Sequence, residues 1–85
     1  MPEVSDFYGI SVEIRYNEHN PPHFHAKYGE YEAQFDFDGN IINGEFPPKK
    51  ARMVAVWAEM RREDLEINWN LAKENKKPRS IEPLR

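Results

Sequence analysis

The sequence predicts an α+β fold: a three- or four-stranded antiparallel β-meander followed by two C-terminal helices packed on one face of the sheet. Three observations support this prediction. Apolar and polar residues alternate from Tyr8 to Tyr16, a hairpin signal follows at Gly29, and residues 49–76 contain neither glycine nor proline. Strands that come first and helices that come last are typical of α+β proteins.

We expect one domain, because 85 residues are enough for only one core. Residues 1–46 form its sheet part, residues 47–76 its helical part and residues 77–85 an irregular tail in which Ile81 and Leu84 turn back onto the body. The chain has no cysteine, which excludes disulfides and thiolate zinc sites. It contains no signal-peptide pattern and no apolar run of about 20 residues, so we expect a cytoplasmic protein without a membrane segment.

The first strand is predicted over residues 8–16, where apolar side chains occupy every second position. A loop over residues 17–22 follows, since Pro21 and Pro22 cannot donate ladder hydrogen bonds. The next two strands flank Gly29–Glu30, which suits a two-residue type II′ turn. In that register, the numbers of any two paired residues sum to 59, as do those of the turn residues Gly29 and Glu30.

This register separates two faces of the predicted hairpin. Phe24 lies opposite Phe35 on the apolar face. On the other face, the expected pairs are His23 with Asp36, His25 with Gln34, and Lys27 with Glu32.

The rest of the chain is predicted to contain a turn, a short strand and two helices. Asp38–Gly39–Asn40 is the turn signal and Ile41–Ile42 the short strand. Pro48 suits the first position of a helix. One straight helix over residues 49–76 would be about 42 Å long, against an expected radius of gyration of about 12 Å. We therefore expect a break near Arg62–Asp64.

Charge is divided unevenly along the chain, whose net value is −3. Residues 1–46 carry two basic and nine acidic side chains, while residues 47–85 carry ten basic and six acidic ones. The acidic half repels polyanions, so direct nucleic-acid binding is disfavoured and would be confined to the helical half.

All three histidines lie within seven residues, at positions 19, 23 and 25. His23 and His25 share one face of a strand at a separation of roughly 7 Å, from which two imidazoles can chelate one divalent transition metal. The third ligand would be Asp36 across the ladder or His19 from the loop. Two histidines and a carboxylate form a ligand set that catalytic metals use with open positions.

Two alternatives to a metal site are consistent with the same residues. Asp36 could fix the tautomer of His23 while His25 acts as general acid or base, as a ribonuclease requires. Alternatively, the histidines could be ordinary polar residues on a solvated strand face. The sequence does not decide whether the protein is an enzyme.

Several segments together resemble a small bacterial family catalogued as domain of unknown function 4160. The resemblance runs from the N-terminus to Leu84. The segments that carry it are Phe7–Ile10, His19–Ala33, Gly44–Pro47, Trp57–Met60, Leu65, Trp69 and Ile81–Leu84.

The resemblance implies a role rather than a reaction. Genes of this family often lie beside another small gene, as in toxin–antitoxin loci. Members commonly carry a histidine four residues after the first helix tryptophan, where this chain has Arg61. That change counts against a metal, and Arg61 could instead bind an anion or pair with Asp36.

Two functional hypotheses follow. In the first, the chain is a toxin–antitoxin-like protein whose site at His23, His25 and Asp36 binds a metal or cleaves RNA. In the second, it is a non-catalytic module that binds a small partner protein encoded nearby.

Overall fold

The computed structural model describes residues 3–16 and 18–85; Met1, Pro2 and Asn17, the first residue of the predicted loop, lie outside this part. The fold is α+β, as predicted, with five strands rather than three or four. The elements are β1 (Glu3–Phe7), β2 (Ile10–Glu13), β3 (His23–Tyr28), β4 (Tyr31–Asp36), β5 (Ile41–Glu45), α1 (Pro48–Met60) and α2 (Arg62–Lys73). The strands form one antiparallel sheet in sequence order.

The predicted register of the β3–β4 hairpin is confirmed. His23 pairs with Asp36, Phe24 with Phe35, and every pair up to the turn follows the same sum. Gly29 has φ +57°, as a type II′ turn requires at its first central position. The turn chemistry therefore fixes which side chains of β3 face the core.

The prediction of a single strand over residues 8–16 is wrong. The chain reverses at Tyr8 and Gly9, whose φ angles are both positive, and Phe7 pairs with Ile10 across this turn. Residues 3–7, which were not predicted as a strand, form β1. Only the inner part of the alternating pattern is buried, because Tyr8 and Tyr16 at its ends are exposed.

The sheet presents one apolar and one polar face. On the apolar face, Val12, Ala26 and Ala33 stand side by side across three strands. The helices cover this face: Trp57 of α1 is fully buried, with its ring centroid 5.6 Å from that of Phe24. The other face carries the row of polar pairs that contains His25.

The helical part divides into two helices at Arg61, one residue before the segment in which we expected a break. Arg61 has φ −116° and ψ 26°, which are not helical values. Pro48 occupies the start of α1, as predicted. With this break, the radius of gyration is 11.5 Å. Neither helix of the described residues is long and apolar enough to cross a membrane.

The C-terminal segment returns to the body, as expected. The Ile81 N–H donates to the carbonyl of Val4 at the outer edge of β1, at 2.7 Å. Asn68, which is 1% exposed, accepts from the Arg79 N–H at 2.8 Å and donates to the Arg79 carbonyl at 2.7 Å. The tail thereby closes one edge of the sheet.

Candidate metal and acid–base site

His23 and His25 lie on the polar face of β3 but are buried, with exposures of 6% and 3%. A solvated strand face was one of the alternatives that the sequence left open. The loop after β2 instead carries Glu18 and Pro21 over the histidines, and both residues hydrogen bond to them. The two imidazole centroids are 5.3 Å apart in an edge-to-face arrangement. The ring nitrogens of two adjacent imidazoles are therefore close together and shielded from bulk water.

Glu18 is the residue that connects the two histidines. Its Oε1 atom lies 2.5 Å from Nε2 of His25 and 3.5 Å from Nε2 of His23. One ligand atom from each of these three residues lies within 4.8 Å of the others. The cluster is therefore a two-histidine, one-carboxylate set.

The backbone fixes the orientation of His23. Its Nδ1 atom is 2.9 Å from the carbonyl oxygen of Pro21. A carbonyl only accepts, so Nδ1 carries the hydrogen and the Nε2 of a neutral ring offers its lone pair to the cluster. The imidazole of His23 also packs against the indole of Trp69 in α2, with the two ring centroids 5.3 Å apart.

The pKa of Glu18 is lowered from its ordinary value. Burial opposes this shift because it raises the pKa, but the hydrogen bond and charge of His25 and the charge of His23 outweigh it. The carboxylate is thus held in its ionised form beside the imidazoles. An ionised carboxylate is also the form that binds a metal.

The other predicted ligands lie elsewhere. The Asp36 backbone pairs with His23, but its Oδ1 accepts the N–H groups of Asp38 and Asn40 at 3.0 and 2.9 Å. Strand pairing places the Cβ atoms of His23 and Asp36 close together. The hydrogen bonds of the turn after β4, however, hold the Asp36 carboxylate away from the histidines. His19 is exposed and is not part of the ligand group found among the described residues.

Arg61 does not fulfil the predicted pairing with Asp36. Within the described part of the chain, no ion pair joins the two residues, and the Nε atom of Arg61 is buried without a hydrogen-bond partner. The backbone of Arg61 ends α1 through a bond to the Trp57 carbonyl. Its position in the fold is that of a helix terminus.

Sequence reasoning missed Glu18. The available signal was a carboxylate five and seven residues before two histidines on one strand face. The spacing could not show that the loop folds back over the strand, because that path depends on tertiary contacts.

His25 also borders a cleft of about 280 Å³ on the polar face. Gln34 and Asn43 of the next two strands line it, together with Arg15. The guanidinium of Arg15 is paired with Glu13 at 2.6 Å and with Glu32 at 3.0 Å. This cleft is polar and gives the buried site a neighbouring solvent-facing space.

Fold and site together define a small α+β protein: a five-stranded meander, backed by two helices, with a cluster of two buried histidines and one partly exposed glutamate. Comparison with known families matches residues 9–70 to the Domain of unknown function family DUF4160. The match covers more than half of the chain, so the protein belongs to this family. No curated protein and no solved structure matches the chain.

Proposed function

We propose that this protein binds one divalent transition metal ion through Glu18, His23 and His25. The observation that carries the proposal is the convergence of the three ligand atoms within 4.8 Å. Neutral imidazole nitrogens and a carboxylate oxygen suit zinc, iron, manganese and nickel. Any of these ions would neutralise the partly exposed carboxylate of Glu18 that lies against the two rings.

One of the interatomic distances matches a bound ion, and a second must lengthen to accommodate one. Zinc lies about 2.0–2.2 Å from nitrogen and oxygen ligands, so two tetrahedral ligand atoms are about 3.4 Å apart. The Glu18–His23 distance of 3.5 Å already has this value. The Glu18–His25 distance of 2.5 Å is that of a hydrogen bond and lengthens when a metal replaces the shared proton.

The surroundings of His23 support the same proposal. Metal-bound histidines usually donate their second ring N–H to a carbonyl or carboxylate, which fixes the ring. The bond from His23 to the carbonyl of Pro21 supplies this support. Three protein ligands leave at least one coordination position for water or substrate, as in catalytic zinc sites. Hydrolysis of RNA in a toxin–antitoxin-like role remains a prediction.

Metal titration of single variants tests the proposal. The protein is purified without a histidine tag, stripped with EDTA and titrated with Zn²⁺ and Co²⁺. We expect one ion per chain. His23→Ala, His25→Ala and Glu18→Gln should each weaken binding by at least about 100-fold, because loss of an outer-shell partner alone costs about 10–100-fold.

Two matched controls distinguish this ligand set from the one predicted from sequence. His19→Ala removes the exposed neighbour of Glu18, and Asp36→Asn removes the carboxylate that the turn uses. Both variants should bind Zn²⁺ like the wild type. Equal losses in these two variants, or unchanged binding in the three ligand variants, would contradict the proposal.

A second candidate function is metal-free acid–base catalysis, which the 2.5 Å bond between Glu18 and His25 favours. A carboxylate orients the imidazole and stabilises its charged form, as a general acid or base needs. RNA cleavage that persists in EDTA and disappears in both His25→Ala and Glu18→Gln would support it. Cleavage that requires added metal would support the metal-bound form instead.

The partner protein predicted from the family's gene context also remains a proposal. Co-expression with the neighbouring gene product, followed by size-exclusion chromatography, tests it. A shared peak at micromolar concentration supports a complex, while two separate peaks count against one.

A further inference from the structure

A second cavity, of about 390 Å³, lies between the end of the sheet and α2. Its apolar part consists of Phe37 and Trp69, whose rings meet edge to face, together with Pro21 and Pro22. Binding pockets for small groups usually have volumes of about 300–1,000 Å³ and an apolar lining with a few polar groups. This cavity, which we call the α2 pocket, has both properties.

The rim of the α2 pocket is acidic. Asp36, Asp38 and Glu66 contribute three carboxylates, while Arg62 contributes one guanidinium. The carboxylate of Asp36 accepts backbone N–H groups of its own turn. Asp38 and Glu66 are exposed carboxylates of the rim whose side-chain partner is Arg62. Aromatic rings combined with carboxylates are complementary to an organic cation.

Arg62 indicates which cation fits. Its Nη1 atom pairs with Asp38, and its Nε atom is 3.3 Å from Glu66. The two carboxylates are therefore positioned to hold one guanidinium group. All three side chains are about half exposed or more, and ion pairs of this kind contribute little stability. Release of Arg62 from these two carboxylates would therefore cost little stability.

We propose that the α2 pocket receives an arginine side chain from a partner protein. The aliphatic stem of the arginine would pack on Trp69 and the prolines, while its guanidinium replaces that of Arg62 between Asp38 and Glu66. Net negative charge at the rim favours a basic segment over an acidic one. This proposal does not depend on a metal, because none of the three proposed metal ligands, Glu18, His23 and His25, lines the pocket.

Peptide titration tests the proposal on the full chain. The probe is acetyl-Ala-Leu-Arg-Leu-Ala-amide, and its control replaces arginine with citrulline, which has the same shape without the charge. Chemical shifts of the two indole N–H groups report the location. We expect a saturable shift at Trp69 and little change at Trp57, which is buried and donates to the Glu82 carbonyl. The citrulline peptide should bind at least about threefold more weakly.

Variants of the rim give opposite expected effects. Arg62→Ala removes the competing cation and should tighten binding of the arginine peptide up to about fivefold. Asp38→Asn and Glu66→Gln should each weaken it about three- to tenfold. Glu63→Gln removes an exposed charge of the same helix that does not line the pocket, and should leave the affinity within about twofold of the wild type.

Each alternative result contradicts a stated part of the proposal. Equal binding of the two peptides, or unchanged binding in both acidic variants, would refute recognition of the guanidinium. If agmatine, which is decarboxylated arginine, binds as tightly as the peptide, the pocket selects a small guanidinium compound rather than a protein. His23→Ala and His25→Ala should lose Zn²⁺ and retain the peptide, so failure of the metal proposal can be recognised separately.

Discussion

Replacing Gly44 with alanine is expected to destabilise the protein much more than the same change at Gly29. Gly44 lies in β5 with φ +87°, and a Cβ atom there would meet the carbonyl oxygen of Glu32 at 2.4 Å and Cα of Ala33 at 2.9 Å. Both atoms belong to the backbone of β4, so no side-chain rotation relieves the contact. Gly29 has φ +57°, but a Cβ atom there meets nothing within 4 Å.

The two positions separate backbone strain from steric overlap. An unfavourable positive φ costs about 1–3 kcal/mol for alanine, which applies to both variants. Forcing extra atoms into a packed region costs about 1–3 kcal/mol more, which applies to Gly44→Ala alone. We therefore expect a loss of about 2–6 kcal/mol for Gly44→Ala and about 1–3 kcal/mol for Gly29→Ala. A domain of this size has a total stability of about 4–13 kcal/mol.

Urea unfolding, followed by tryptophan fluorescence and by circular dichroism, measures the loss of unfolding free energy in each of the two variants. The melting temperature of Gly44→Ala should fall by at least about 8 °C, since 1 kcal/mol corresponds to about 4–8 °C in a domain of this length. Amide exchange along β5 shows whether only that edge strand detaches. A Gly44→Ala variant that is as stable as Gly29→Ala, with protected β5 amides, would refute this reasoning.

Three further predictions concern the site and the tail. Zn²⁺ at about 100 times its dissociation constant should raise the free energy of unfolding by about 2.7 kcal/mol, and a protein carrying both His23→Ala and His25→Ala should show no such rise in thermal melts. Asn68→Ala should lower the free energy of unfolding, measured in urea, by about 1–3 kcal/mol, because it leaves the backbone N–H and carbonyl of Arg79 without their buried partner. A loss below about 0.5 kcal/mol would contradict the role assigned to this contact. In the metal-free protein, the lowered pKa of Glu18 adds stability that is present above the ordinary carboxyl pKa of 4.5 and disappears as the pH falls through the lower folded-state value. Stability curves between about pH 5 and pH 3 should therefore fall more steeply for the wild type than for Glu18→Gln, and parallel curves would contradict this assignment.

The local patterns of the sequence were sufficient for the central hairpin. Its turn residues determine the register, and the two-residue period of a strand then assigns each side chain to a face. The pairing of His23 with Asp36 follows from this and is confirmed. The first hairpin was not predictable in the same way, because Tyr8 adopts a positive φ that tyrosine rarely has.

The candidate site was only partly predictable, because its third member comes from a loop. The two-residue period of a strand places His23 and His25 on the same face, independently of the rest of the chain. The path that brings Glu18 to them depends on tertiary contacts, including the bond between Pro21 and His23. Length and expected radius predicted that the helical part breaks, but no residue type marked Arg61 as the position.

Trp69 separates the two proposed sites. One side of its indole contacts the ring of His23, and the indole also lines the α2 pocket. One side chain therefore lies next to both proposed sites. Thermodynamic linkage requires that any effect of a bound ion on peptide affinity equals the effect of the peptide on affinity for the ion. The indole N–H chemical shift of Trp69, which is separate from that of Trp57, offers a measure of that coupling.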